Sequence, residues 1–438
     1  MSDLSDNTPR CPFTLDRRRF LQGLGAAGAA AGLGGSAWAE SRTDATSSHD
    51  VTGAPVSTTT QQSHPFHGRH QQGILTPRPA TGMVVVCDVL ARDRAGLERL
   101  LRILTERIAF LTQGGTYPKR DPSYPPADSG ILGPTIAPDA LTVTVSLGAS
   151  VFDERFGLAD AKPKHLQRMT GFPNDALEPT RCHGDLSLQI CANTHDTTIH
   201  ALRDIIKQTP GLLMVRWKQE GTVPVMPPSP DLPAPSARNY LGFRDGTANP
   251  NTDDDALMNA LVWTGADPDE PDWTHGGSYQ VVRIIRNFVE RWDRAQLAEQ
   301  EAIFGRRKES GAPLSGGSEY DKPDYANDVD GQITPLDAHI RLANPRTPGF
   351  EKHRILRRPF NYSNGVEANG QLDMGLLFIV YQADLEAGFI TVQNRLNGEP
   401  LEEYIKPVGG GYFFTLPGAI DEHDVLGRSL LEATAPHA

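Results

Sequence analysis

Met83-Val84-Val85-Val86-Cys87-Asp88-Val89 is the stretch on which the fold turns. Its run of apolar, mostly β-branched side chains reads as a buried strand. Asp93 then stands where a helix N-cap belongs, its carboxylate free to accept from the first-turn amides. Leu97, Leu100, Leu101, Leu104, Ile108 and Leu111 follow at helical spacing, so the chain passes from period two to period 3.6. Strands are expected near 141–146 and 186–192. A helix from about Thr194 carries Ile199, Leu202, Ile205 and Ile206 on one face, and a strand at 212–217 closes the series. Strand–helix–strand–strand–helix–strand is the order of a ferredoxin-like α+β unit.

The second half repeats the plan. Residues 279–285 read as a strand, 292–304 as a helix, 376–382 as a continuous apolar strand, 388–396 as helical and 412–416 as the closing strand. The halves share little residue identity, so the duplication is one of architecture. The expected fold is therefore α+β, with two ferredoxin-like lobes over residues 64–230 and 231–438, joined through the Pro-rich segment 224–235.

Upstream of the lobes the composition changes. Asp16-Arg17-Arg18-Arg19-Phe20-Leu21-Gln22 opens a mild Gly- and Ala-rich run ending in Ala37-Trp38-Ala39. Basic, apolar and small-residue zones in that order form an export signal, here of the twin-arginine kind, although Asp16 replaces the usual Ser or Thr. The run is too short and too weakly apolar for a membrane span. Residues 1–39 are thus expected to direct export to the periplasm or the exterior, and the polar residues 40–63 to form a tether.

A formal net charge of −12 argues against nucleic acid, whose phosphates are met by clustered Lys and Arg. Of four cysteines Cys11 lies in the leader; Cys87, Cys182 and Cys191 are too few and wrongly spaced for a disulfide framework or a zinc ribbon, and read as core thiols. No Cys-x-x-Cys-His occurs, which excludes a covalently attached c-type haem.

Three segments carry residues able to do chemistry. In Leu241-Gly242-Phe243-Arg244-Asp245-Gly246, two glycines let the backbone turn tightly and present Asp245 on a loop, although Asp-Gly is also a common turn. Asp337-Ala338-His339-Ile340-Arg341 follows a polar stretch, 311–337, too long for an idle connection. Arg354-Ile355-Leu356-Arg357-Arg358-Pro359 places several guanidinium groups on an otherwise apolar stretch. Singly, each has a structural explanation.

Together these segments resemble, in order and surroundings, the dye-decolorizing peroxidase family, in its twin-arginine-exported deferrochelatase/peroxidase branch. The likeness extends through Gly68-Arg69-His70-Gln71-Gln72-Gly73-Ile74, Cys182-His183-Gly184-Asp185-Leu186, Trp292-Asp293-Arg294 and Gly409-Gly410-Gly411-Tyr412-Phe413-Phe414. The resemblance implies one non-covalent haem b, bound mainly by the second lobe. It implies His339 as proximal iron ligand, Asp245 and Arg357 as the distal acid–base and charge-stabilising residues, Leu376 and Phe378 above the haem, and Arg341 as a partner for the propionates. Hydrogen peroxide and a reducing substrate would be the reactants. Components of iron uptake and a second copy of the chain are the implied macromolecular partners.

Each role has a physical basis. A neutral imidazole leaves the sixth iron position open, and a carboxylate on its other nitrogen raises its basicity. Asp384 and Glu386 are candidates for that carboxylate, though both also read as surface charges. One carboxylate can take a proton from peroxide and return it to the leaving oxygen, while an arginine stays cationic throughout. An unperturbed Asp titrates near ~3.9, so an aspartate base implies activity best in acid unless burial raises that value. Trp217, Trp263, Trp273 and Trp292 are candidate electron-transfer residues for large dyes, each equally a packing residue. Two other readings use the same sequence: a protein that releases iron from haem and leaves the porphyrin intact, and a metal-binding protein using His64, His67 and His70.

Overall fold

The computed structural model describes residues 58–224, 236–265 and 267–435. The expected leader and most of the expected tether lie outside these residues, as does nearly all of the Pro-rich junction.

In the first lobe the order is β1 (Thr81–Val89), α1 (Arg94–Gln113), β2 (Thr142–Gly148), β3 (Leu186–Ala192), α2 (His195–Gln208) and β4 (Leu213–Thr222). Asp93 caps α1 as its sequence position required, accepting from the Gly96 amide at 2.8 Å. The strands pair antiparallel in the spatial order β2-β3-β1-β4, the ferredoxin-like arrangement. Strand β1 has no solvent face. Val85, Cys87 and Val89 pack in the cluster beneath α1 and α2, and Val84 and Val86 pack against the second lobe's sheet. Both sides demand apolar residues, which explains the unbroken run that opens the strand.

The second lobe runs from α3 (Asp255–Leu261) through β5 (Ser278–Asn287), α4 (Val289–Trp292), α5 (Leu297–Phe304), α6 (His339–Ala343), β6 (Leu356–Arg357), β7 (Phe360–Val366) and β8 (Leu372–Gln382). A π-helical turn (Glu386–Ile390), α7 (Thr391–Leu396) and β9 (Ile405–Thr415) complete it. Its strands take the same order, β7-β8-β5-β9. The expected helix over 292–304 is broken, because the chain turns between Asp293 and Gln296 before α5 starts. Strand β7, absent from the sequence expectation, is buried from Phe360 to Tyr362 and exposed from Ser363 on. Strand β9 begins well before 412, since Gly409, Gly410 and Gly411 belong to it; a Cβ at Gly410 would stand 1.9 Å from the Val282 carbonyl oxygen.

The two sheets join edge to edge. Three residue pairs link β9 to β2, and a single pair, Thr222↔Asn361, links β4 to β7. The lobes differ in what covers their outer sheet faces. In the first, α1 and α2 are long and lie directly on the sheet. In the second, the covering helices are short, and side chains from α5, α6 and α7 face the sheet across a cavity.

Candidate active site

Alternation along the second-lobe strands makes the cavity floor. In β5, Val282 and Ile284 enter the core between the sheets, while Arg283, Ile285 and Asn287 face the cavity. In β8, Leu377 and Ile379 are core, while Leu376 and Phe378 face the cavity, opposite Ile285 and Arg283 in register. Phe304, Ile340, Val392 and Leu396 supply the covering wall. The empty space is about 1780 Å³ including its solvent mouth.

His339 is the first residue of α6 and lines this cavity. Its Nδ1 lies 2.7 Å from Glu399 Oε2, a carboxylate whose side chain is 4% exposed. Glu399 has only acceptors, so Nδ1 carries a proton, and in the neutral imidazole Nε2 keeps a bare lone pair. Among the described residues Nε2 has no hydrogen-bond partner. Burial disfavours the charged imidazole, but the charge and hydrogen bond of Glu399 outweigh it and hold the pKa above the ordinary histidine value. The carboxylates proposed for this duty stand elsewhere. Asp384 and Glu386 lie 3.7 and 3.9 Å from ring nitrogens of His165, so Glu399 replaces both. Nothing in the local sequence links residues 60 apart; only the turn after α7 brings them together.

Asp245 sits on the loop its glycines were expected to allow, with Gly242 at φ +88° and Gly246 at φ +120°. Arg357 Nη1 donates to Asp245 Oδ1 at 2.7 Å. The same loop holds the arginine's backbone: Asn249 Nδ2 donates to the Arg357 carbonyl at 2.8 Å, and Asn249 Oδ1 accepts from the Arg357 amide at 3.1 Å. Buried Glu319 accepts from Thr247 and from the Ser236 amide, tying this loop to the long stretch before His339. His339, Asp245 and Arg357 all line the one cavity, and the charges of Arg357 and Asp245 reach the imidazole.

Arg341 does not join them. It donates to Asp328 and to the Thr334 carbonyl and lies over the Tyr325 ring, bracing the loop before α6 rather than facing the cavity. One turn of helix separates residues that share a face, and position 341 is only two beyond His339. The cationic wall is made by Arg306, Arg346 and Arg354 instead. Burial, followed by repulsion from Arg346, lowers the guanidinium pKa of both Arg306 and Arg354. Arg346 is held at φ +56°, a costly conformation for a side-chain-bearing residue. Crowded cations on a strained loop suit an anionic partner.

Trp217, Trp263, Trp273 and Trp292 are all buried. His70 stacks on Trp263, with centroids 3.8 Å apart, and bonds the Gly276 carbonyl. Among the described residues no three His, Cys, Asp or Glu side chains are placed to hold a metal ion. Cys87, Cys182 and Cys191 are buried free thiols. No helix among the described residues is long and apolar enough to cross a membrane.

Comparison with known proteins identifies the family. Residues 71–222 match the N-terminal and 236–420 the C-terminal Dyp-type peroxidase family models. A deferrochelatase of Shigella sonnei is 58% identical over 420 residues, covering 95% of this chain and 96% of that protein. A deferrochelatase of Escherichia coli K12 is 60% identical over 374 residues, covering 84% and 88%. Ferric DtpA from Streptomyces lividans superposes with a TM-score of 0.76 at 35% identity, covering 87% of this chain and all of that one. With both halves of the chain matched in order, the protein belongs to the Dyp-type peroxidase family.

Proposed function

We propose that this Dyp-type peroxidase holds one haem b non-covalently in the second-lobe cavity, with His339 as the iron's proximal ligand and Asp245 and Arg357 acting on hydrogen peroxide. The observation that carries the reading is the bare Nε2 of His339, facing the cavity that also receives the Asp245–Arg357 pair. The residues present fit the group: an imidazole with an oriented lone pair, an apolar floor from Leu376 and Phe378, and guanidinium groups suited to propionates. Arg306, Arg346 and Arg354 take the propionate role first expected of Arg341.

When bound, the haem supplies an iron that accepts peroxide and passes its oxidising power to a reductant. Glu399 keeps the proton on Nδ1 of His339 and raises the basicity of Nε2. The carboxylate of Asp245 takes a proton from the near oxygen of peroxide and returns it to the departing one. Arg357 remains cationic and stabilises the negative charge that develops as the O–O bond breaks. Leu376 and Phe378 exclude bulk water and large reductants from that space.

Haem titration followed by peroxide addition tests the assignment. The wild type should give a Soret band that changes on peroxide addition and returns when reductant is supplied. A His339→Ala variant that binds haem with the same spectrum would refute it.

A second reading rests on the deferrochelatase relatives: removal of iron from haem with the porphyrin intact, for components of iron uptake. Iron-free porphyrin accumulating after incubation with haem would favour this reading. Stable haem with rapid peroxide turnover would favour peroxidation. We further propose that residues 1–39 direct twin-arginine export to the periplasm. Replacing Arg17 and Arg18 by Lys should retain the protein in the cytoplasm, and undiminished export would overturn that.

A further inference from the structure

A second, small space adjoins Asp245 at the seam between the lobes. Strands β4 and β7 meet through the single pair Thr222↔Asn361 and then diverge. Two sheet edges joined at one point leave unfilled space beside the joint. Here that space is a small chamber lined by Arg78, Thr222, Val223, Asn361, Asp245 and Leu376, among others. Asp245 and Leu376 also line the large cavity, so the aspartate stands between the two spaces.

The chamber is built for a polar guest. Asn361 is 4% exposed, and its Nδ2 donates to the Arg238 carbonyl at 2.9 Å, which fixes the orientation of its amide. Its Oδ1 is buried and has no partner among the described residues. A buried acceptor without a donor costs about 1–3 kcal/mol, so such atoms are normally satisfied, if need be by ordered water. Arg78 spends Nη1 on the Pro359 carbonyl and has further donors, and the charge of Asp245 reaches its guanidinium. The chamber's empty space is about 180 Å³ including any open side, a size for ordered water and not for a larger ligand. Size, an orphaned acceptor, spare donors and a carboxylate all specify the same occupant.

We propose that this chamber is a solvent-side entrance to Asp245, holding one water between Asn361, Arg78 and the carboxylate, through which the aspartate exchanges protons without using the haem cavity. The transfer balances simply. A proton passes from the water to the carboxylate while the water takes one from solvent at the seam, and the reverse path discharges it. The proposal rests on Asp245 being the distal acid–base group, and its test separates the two.

A crystal structure of the haem-loaded protein, at a resolution that orders waters, should show one within hydrogen-bonding distance of Asn361 Oδ1 and of Asp245 or Arg78. Asn361→Leu should lose that water, keep the haem spectrum, and slow the peroxide-driven Soret change by about tenfold, below the ~10²–10⁴ range of direct acid–base loss. Its solvent deuterium isotope effect should rise, a change that looser packing alone would not produce. Asn361→Asp, which keeps an acceptor, should recover most of the rate. Absence of the water in the wild type would overturn the proposal. So would wild-type rate and isotope effect in Asn361→Leu while Asp245→Asn is slow. If Asp245→Asn itself reacted at the wild-type rate, the distal role of Asp245 would fail first and this inference with it.

Discussion

Glu399→Gln tests the proximal side most sharply. Glutamine keeps the length of the side chain and an oxygen acceptor, so the 2.7 Å contact with His339 Nδ1 can persist as a neutral bond. Only the charge is removed, from a site where the carboxylate is almost wholly buried and water screens it little. A hydrogen bond to a charged group contributes about 1.5–3 kcal/mol and a neutral one about 0.5–1.5, so the variant should forfeit roughly 1–1.5 kcal/mol at the imidazole. For a one-electron couple a tenfold change in equilibrium constant is about 59 mV, so the ferric–ferrous midpoint should rise by about 40–65 mV. The rise follows because a less basic ligand favours the ferric state less. Haem affinity should fall by about 10–100-fold, the usual range for loss of a carboxylate behind a ligating histidine. Spectroelectrochemistry of the haem-loaded variant measures the first quantity and competitive haem transfer the second. A midpoint and affinity equal to wild type would mean that Glu399 merely packs against the ring. Glu399→Ala is less informative, since it removes the acceptor together with the charge.

Other expectations are more direct. Asp245→Asn should slow the peroxide reaction by about 10²–10⁴-fold and Arg357→Leu by about 10²–10³-fold, with haem retained in both; stopped-flow absorbance decides, and equal rates in wild type and Arg357→Leu would remove the arginine from the chemistry. Arg346→Ala should weaken haem binding by about 10–100-fold, the value of one charged hydrogen bond, whereas Arg341→Ala should leave affinity intact and loosen the Asp328 loop in hydrogen exchange; the reverse pattern would restore Arg341 to the propionates. His200, on α2, is buried against Tyr117 and Ser129, and desolvation lowers its pKa. Its unfolded form therefore takes up a proton that its folded form refuses, so stability should fall as pH drops below about 6.5. The Tm of His200→Asn should fall less steeply over that acid range, and an unchanged slope would exclude this histidine as a source of acid sensitivity.

Much of the fold was legible because it is written in short-range periodicity. The run from Met83 to Val89 had to be buried on both faces, and the leucines of α1 repeat at the spacing of one helical face. Where local and tertiary demands diverged, the reading failed. Strand β7 leaves the core after Tyr362, so its second half carries no alternation to detect. The helix expected over 292–304 is interrupted because Trp292 is committed to the aromatic cluster with Phe243, Phe304 and Tyr404, and α5 must restart to reach it.

The same division runs through the active site. Asp245, His339 and Arg357 became candidates because their three segments, taken in order, resemble a known family; singly, a glycine-flanked turn, a long polar approach and an arginine-rich apolar stretch each have a structural explanation. Each is defined by residues within a few positions, which a linear reading can see. Their partners are not so defined. That Glu399 stands behind His339, that Arg341 turns to Asp328 and leaves the cavity to Arg306 and Arg346, and that one strand pair leaves a chamber beside Asp245 are consequences of elements meeting in space. Chain order determined which groups this protein possesses and on which elements they ride. Only the packing of those elements decided which group faces which, because hydrogen bonds and charge act over a few ångströms while the residues that share them lie far apart in sequence.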